Sequence, residues 1–295
     1  MIAMRRWVGL WFLFMMLVGV QAATEFGLRD GPIHFAVISD THFGKYVHDY
    51  RFRQAVEAIN KLPFDISVVA HLGDFASDNM HHKETGMLIS NMLARIDKPV
   101  IAVAGNHDLS LRGKDPEQRL RDSLAVYRQY IGELGQVFET EDAVFIAVTT
   151  EHVYREMPDV LDFDALGWLA KQIERAGDKL IFVFTHVPDG PDFYNNEVHP
   201  GWPEPARQTW RDILKKGNVK AVFAGHFHRD ELQQNDDGIP TFVANSIADF
   251  WGRQASFKIY TYENGRIGFR SVYIEDPPKK ARVNRDGTLG TWDKE

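Results

Sequence analysis

The stretch Pro99-Val100-Ile101-Ala102-Val103-Ala104-Gly105-Asn106-His107-Asp108 joins an apolar, β-branched run to a polar quartet. The run has the length and composition of a buried strand. An amide, an imidazole and a carboxylate therefore stand where that strand opens into a loop. In open α/β sheets this edge is where ligands bind. Taken alone, the quartet is equally compatible with a polar turn, and its meaning depends on what other strands deliver to the same edge.

On the N-terminal side, residues 33 to 39 form a short apolar strand ending at Asp40-Thr41-His42. Residues 51 to 62 carry Phe52, Val56, Ile59 and Leu62 at helical spacing, and Pro63 stops that helix. A second strand, 66 to 70, runs into His71-Leu72-Gly73-Asp74, where Gly73 permits a tight turn. A helix over 84 to 96 then leads into the strand quoted above. This alternation is that of a mostly parallel sheet covered on both faces.

On the C-terminal side, residues 116 to 134 read as a long amphipathic helix and 143 to 148 as a strand. Asp164 caps a helix that ends at Ala176-Gly177. A strongly apolar strand over 179 to 185 ends at His186. Residues 187 to 204 are rich in Pro, Gly and Asn, and a loop of this length is usually functional or disordered. After a helix over 205 to 216, the strand 219 to 224 delivers Gly225-His226-Phe227-His228. Strands over 256 to 262 and 266 to 274 flank Asn264-Gly265, a hairpin signal, and this antiparallel addition points to a second sheet. From Pro277 the chain reads as a polar tail over 277 to 295.

The 295 residues are 44% apolar and 25% charged, ample for a core, and no linker, repeat or low-complexity tract divides them. One large domain over 23 to 276 is expected. Arg5 and Arg6 precede an apolar run from Trp7 to Val20, followed by small residues around Ala22/Ala23, the organisation of a secretory signal peptide over 1 to 22. The alternative, an uncleaved anchor, has a 14-residue run to work with, against the ~20 residues needed to span a bilayer. Export, to the periplasm, without stable membrane insertion after cleavage, is the expectation.

The absence of cysteine removes disulfides, thiolate metal sites and lipoprotein attachment. Cleavage would remove two arginines and no acids, taking the net charge from -7 to -9. That balance argues against a nucleic-acid duplex or an anionic membrane surface as partner. An anionic small substrate would need local positive charge, which bound metal supplies. The oligomeric state is not legible.

Five strand ends thus carry Asp40/His42, Asp74, Asn106/His107, His186 and His226/His228. A single histidine at a strand end is more often a hydrogen-bonded structural residue, but five such ends in succession form a pattern. Imidazole, carboxylate and amide oxygen are ligands for transition metals. Asp74, offering one oxygen to each of two ions, suits a bridge in a two-metal centre with ions ~3.5 to 4 Å apart.

The order Asp-x-His, Gly-Asp, Gly-Asn-His-Asp, His, Gly-His-x-His resembles the calcineurin-like metallophosphoesterase superfamily, over Asp40 to His228, about two-thirds of the mature chain. The resemblance implies a four-layer α/β/β/α sandwich of two mixed sheets, with a dinuclear metal site at the strand ends. It implies that Asp40, His42, Asp74 and His228 hold one metal and that Asp74, Asn106, His186 and His226 hold the other. The ions would be divalent or mixed-valence, drawn from Mn, Fe or Zn. His107 matches the histidine that contacts the phosphate and assists the leaving group. A metal-bridging hydroxide would attack phosphorus in line on a small phosphate-ester substrate. The likeness is somewhat closer to bacterial phosphodiesterases of the cyclic-nucleotide type than to protein phosphatases, so diesters are expected to be favoured. The alternatives are a phosphomonoesterase, acting on nucleotides or proteins, and a non-catalytic metal-binding scaffold of the same fold.

Departures from the family pattern matter. Purple acid phosphatases place a tyrosine three residues after the bridging aspartate, and Ser77 stands there. Asp78, one position later, and Asp108, beside His107, are both candidates to orient His107. His71 has no assigned role. His81 and His82 read as a solvated pair, and His34, His48, His152 and His199 as unconnected with metal. Phe193, Tyr194 and Trp202 read as packing of their loop on the body, the alternative being stacking on a base or an aromatic leaving group.

Overall fold

The computed structural model describes residues 31–248 and 253–277. The signal-peptide assignment over 1 to 22 and nearly all of the polar tail over 277 to 295 lie outside them. In chain order the elements are β1 (Ile33–Ile38), α1 (Tyr46–Asn60), β2 (Val69–His71), α2 (Lys83–Leu93), β3 (Val100–Ala102), α3 (Pro116–Tyr130), β4 (Gly135–Glu139) and β5 (Ala143–Val148). There follow α4 (Glu151–Tyr154), α5 (Ala165–Ala176), β6 (Leu180–Phe184), α6 (Ala206–Leu214), β7 (Val219–Ala224), β8 (Glu231–Gln233), β9 (Thr241–Val243), β10 (Ser256–Glu263) and β11 (Arg266–Tyr273).

The strands form two mixed sheets, ordered β11-β10-β1-β2-β3 and β4-β5-β6-β7-β9-β8. Within the first, β1, β2 and β3 are parallel, and within the second so are β5, β6, β7 and β9. The hairpin β10-β11 is a correction to the sequence reading. It does not start the second sheet but pairs antiparallel with β1, placing Phe35 opposite Tyr260. The second sheet begins instead at β4, and the short strands β4, β8 and β9 carry too little periodicity to be read locally.

Alternation along the strands produces four layers, because successive side chains leave a strand on opposite faces. On β1, Phe35 and Val37 point between the sheets, whereas Ala36 and Ile38 face the layer of α1, α2 and α3. On β6, Phe182 and Phe184 point between the sheets, whereas Ile181 and Val183 join Leu169, Ile173 and Trp210 from α5 and α6. The result is an α/β/β/α sandwich. Local chemistry fixes the helix starts: Asp115 accepts from the Gln118 amide at 3.0 Å ahead of Pro116, and Asp164 from the Gly167 amide at 2.9 Å.

The inner layer is aromatic. Phe35 is fully buried, its ring centroid 5.1 Å from both Phe182 and Phe223, 5.5 Å from Tyr260 and 5.6 Å from Phe145. This ring registers one sheet against the other, and with it the two sets of strand ends that carry the polar residues. Phe35→Ala should cost about 3–5 kcal/mol in a denaturant titration. A loss below about 1 kcal/mol would show that the sheets are held together elsewhere.

Candidate metal centre

All seven sequence-predicted ligands lie just beyond the C-terminal ends of parallel strands. Asp40 and His42 follow β1, Asp74 follows β2, Asn106 follows β3, His186 follows β6, and His226 and His228 follow β7. The loops that present them are unusual in backbone conformation. Asp40, His42, Asp74, His226 and His228 all have positive φ, between 44° and 68°. Such conformations cost non-glycine residues about 1–2 kcal/mol each and cluster at functional sites.

Hydrogen bonds between loops hold these turns. The Asp40 amide donates to Gly73 O at 3.1 Å, His42 to Asp74 O at 3.0 Å, and Gly225 to His186 O at 2.8 Å. His48 Nδ1 lies 2.9 Å from the His42 carbonyl, so this histidine supports a ligand's backbone without being a ligand itself. Gly105 is required by close approach: a Cβ there would lie 2.5 Å from the Asp74 amide nitrogen.

Each carboxylate has one oxygen tied to protein and one turned inward. Asp40 Oδ2 accepts from the Ser39 hydroxyl and, at 3.1 Å, from the His226 amide. Asp74 Oδ1 accepts from the His107 amide at 2.8 Å. The other oxygens, Asp40 Oδ1 and Asp74 Oδ2, are buried and accept no hydrogen bond. Asp40 Oδ1 stands 3.1 Å from His228 Nε2. Asp74 Oδ2 stands 3.7 Å from His42 Nε2 and 3.3 Å from His186 Nε2. Asp74 therefore differs from the sequence expectation of one oxygen per ion: the same Oδ2 faces both groups.

Two sets of donors result, Asp40, His42, Asp74 and His228, and Asp74, His186 and His226, each with ligand atoms within 4.8 Å of one another. Asn106 joins the second set, its Oδ1 lying 3.0 Å from His186 Nε2.

The chemistry at His186 fits a cation. Its Nδ1 donates to Leu72 O at 2.7 Å, and its Nε2 faces two acceptor oxygens, Asn106 Oδ1 and Asp74 Oδ2. Positive charge is needed at that nitrogen, as a proton on Nε2 or as a metal ion bound in the proton's place. Burial depresses the His186 pKa, yet Asp74 lifts it to about 10, so without metal the ring holds a proton that a bound ion would displace. Burial also acts on the other rings, lowering His42 to about 4 and His226 well below its ordinary value, which keeps both neutral and able to coordinate. Burial would raise both carboxyls, but His228 beside Asp40 and His186 beside Asp74 hold them below the usual carboxylate range.

His107 sits at the rim, 28% exposed, its ring 4.9 Å from that of His42. Its Nδ1 lies 3.1 Å from Asp78 Oδ1, and Asp78 is in turn gripped by Arg112 Nη1 at 2.8 Å and by Arg119 through its carbonyl. Asp108 is instead fully buried and accepts from the amides of Ala76 and Gly105 at 2.9 Å and of Phe75 at 3.2 Å. Of the two candidates, Asp78 contacts the ring and Asp108 clamps the Asp74 loop to the quartet. Burial and the neighbouring Asp74 push the Asp108 carboxyl up to about 8.

His71 is a buttress. Its ring stacks on Phe75 at 3.7 Å, its Nδ1 accepts from the Gly73 amide, and its Nε2 faces Thr41 Oγ1 at 3.2 Å. Burial lowers its pKa to about 3, so it stays neutral. His81 and His82 lie ring to ring at 3.9 Å, tilted by 39°, outside the ligand sets.

One residue near the site escaped the sequence reading. Glu151, fully buried after β5, interacts electrostatically with His186 and holds Tyr154 and Arg155. Its position at the end of another parallel strand was the available signal. His199 places its ring 4.7 Å from that of His226, closer to the centre than expected. Phe193 and Tyr194 do not pack on the body, being 79% and 72% exposed, whereas Trp202 does.

The model of the calcineurin-like phosphoesterase family matches residues 33–230, from the first residue of β1 to two residues beyond His228. The chain belongs to the calcineurin-like phosphoesterase family. It is 25% identical over 232 residues to the bovine serine/threonine-protein phosphatase CPPED1, covering 68% of this chain and 70% of that one. In fold it is similar to a dimetal phosphatase from Danio rerio (TM-score 0.58, 15% identity, 83% of this chain and 98% of that one). It is also similar to a purple acid phosphatase from yellow lupin (TM-score 0.59, 13% identity, 82% of this chain and 52% of that one). This calcineurin-like phosphoesterase is a metal-dependent phosphoric ester hydrolase, and its buried Asp/His cluster suits a dinuclear divalent centre.

Ser77 marks a difference in the metal chemistry open to this family member. Its Oγ lies 3.3 Å from His42 Nδ1, so a hydroxyl and not a phenol stands beside the first donor set. Protein loaded with ferric iron should accordingly lack the intense tyrosinate charge-transfer band. A strong purple absorption would mean that a tyrosine reaches the iron.

Proposed function

We propose that this phosphoesterase is exported and cleaves small phosphodiesters in preference to monoesters. In this reading Asp40, His42, Asp74 and His228 hold one ion of Mn, Fe or Zn. Asp74, Asn106, His186 and His226 hold a second, and His107 delivers the proton. The observation that carries it is the His107–Asp78 pair at 3.1 Å on the rim of the donor cluster. A bound metal pair supplies Lewis acidity and a water acidic enough to act as nucleophile near neutral pH. Asp78 engages Nδ1 and fixes the ring, leaving Nε2 as the nitrogen available to substrate. A proton held there is given to the departing oxygen, a general-acid task worth roughly 10² to 10⁴ in rate. Burial of the ligands excludes water from the cluster and strengthens its field on the phosphoryl oxygens.

Charge supports the diester preference. The arginines flanking His107, Arg112 and Arg119, are already engaged by Asp78, and the chain as a whole is acidic. A diester brings one negative charge and a monoester dianion two, so the diester asks less of the site. The second reading, monoester hydrolysis, is favoured by the name of the bovine relative. Export rests on the segment 1 to 22, and a secreted or periplasmic form beginning near Ala23, seen by intact mass, is its expected signature.

His107→Ala should lower kcat by about 10²- to 10⁴-fold with metal content unchanged, and Asp78→Asn by about tenfold or more. Loss of metal in the His107 variant would overturn its assignment to proton transfer. The metal-loaded protein should turn over bis(4-nitrophenyl) phosphate faster than 4-nitrophenyl phosphate. The reverse order removes the diester preference, and inertness toward both classes removes the hydrolase.

A further inference from the structure

Beside the metal centre lies a cavity of about 440 Å³, walled by Tyr154, Val198, His199, Trp202 and Phe227 and reaching the His226 ring itself. Its size falls within that of small-molecule sites, about 300 to 1,000 Å³. We propose that this cavity is the subsite for the organic substituent that stays on phosphorus, and that it takes a planar aromatic group.

The side of the centre on which it lies decides which substituent it can hold. His107 stands against His42, in the first donor set, whereas the cavity opens at His226, in the second. The leaving oxygen must lie within reach of its proton donor. The substituent directed toward His226 is therefore the one that is not expelled. Only a diester has such a substituent, so the inference rests on the diester reading and supplies a structural reason for it.

The walls decide the chemistry. His199 and Phe227 lie 5.1 Å apart with their rings inclined at 35°, and Tyr154 and Trp202 are stacked at 6.2 Å. The polar atoms of Trp202 and Tyr154 are engaged by protein. The Trp202 indole donates to Val187 O at 3.2 Å, and the Tyr154 hydroxyl donates to Glu151 Oε2 at 2.7 Å. The aromatic faces of Tyr154, Trp202 and Phe227 favour an offset or edge-on ring over an alkyl group.

The cavity is also built to persist. Although residues 187 to 204 form a long connection, the Trp202 amide donates to Asp189 O and the Asp192 amide to His199 O, both at 3.0 Å. Buried Asp189 is paired with Arg211, and buried Asp192 with Arg229. Trp202 rests on Trp210 at 5.0 Å. A preformed wall does not have to be ordered at the moment of binding, which lowers the cost of association.

The test holds the leaving group constant. Methyl, phenyl and thymidine-5′ esters of 4-nitrophenyl phosphate are compared on the metal-loaded full-length protein. The phenyl or thymidine ester should exceed the methyl ester in kcat/KM by about tenfold or more, mainly through KM; which of the two is better distinguishes a bare ring from a nucleoside. Val198 is 64% exposed and tolerates enlargement, and Val198→Trp should fill the cavity and collapse the ratio toward one. Phe193→Ala, outside the cavity, should leave the ratio as it is. Calorimetric titration should show phenylphosphonate binding about tenfold more tightly than methylphosphonate, independently of turnover. Equal constants for methyl and phenyl esters, or a ratio that survives Val198→Trp, overturn the subsite while leaving the diesterase standing. Turnover of monoesters alone overturns the diester reading, and the subsite falls with it.

Discussion

A single buried oxygen, Asp74 Oδ2, faces imidazole nitrogens from both sheets, 3.7 Å from His42 Nε2 and 3.3 Å from His186 Nε2. An ionised carboxylate in such a place is expensive to desolvate, by several kcal/mol, and it accepts no hydrogen bond there. In the metal-free protein the charged His186 beside it balances that oxygen, and a cation bound between the two donor sets would take over that role. Much else follows from keeping this oxygen in place. Asp74 Oδ1 is tied to the His107 amide, Gly105 makes room for the Asp74 backbone, and Asp108 ties the loop after Asp74 to the quartet.

The same requirement accounts for the division of labour between core and loops. Five ligand-bearing residues in left-handed backbone, at about 1–2 kcal/mol each, are a considerable burden for a chain whose net stability is typically about 5–15 kcal/mol. The aromatic layer between the sheets offsets it and fixes the two sets of strand ends opposite each other. Metal binding then adds to stability by linkage, since the unfolded chain presents no comparable site. The centre is therefore strained in its backbone, rigid in its surroundings and dependent on cations for its electrostatic balance.

Much of this was legible in the sequence because it is local. Apolar runs ending in Asp, His or Gly-rich turns marked the strand ends, and the ligand types at those ends marked the chemistry. What depends on contacts distant in the chain was not legible. The β10-β11 hairpin was recognisable from Asn264-Gly265, but its partner β1 lies more than two hundred residues away, so its sheet was misjudged. Asp78 and Asp108 look alike in sequence. They separate only because Asp108 turns inward to three amides while Asp78, at φ 66°, turns toward His107. His199 is brought to His226 by the course of a long loop, which no periodicity reveals.

The roles of the two donor sets depend on Asp74 being shared by two ions. Crystals of the metal-loaded protein, with diffraction data collected on both sides of the absorption edge of the loaded metal, address this directly. Two anomalous peaks about 3.5–4 Å apart on either side of Asp74 are predicted, one beside Asp40, His42 and His228 and one beside Asn106, His186 and His226. A single peak, or two peaks neither of which contacts Asp74, would contradict it.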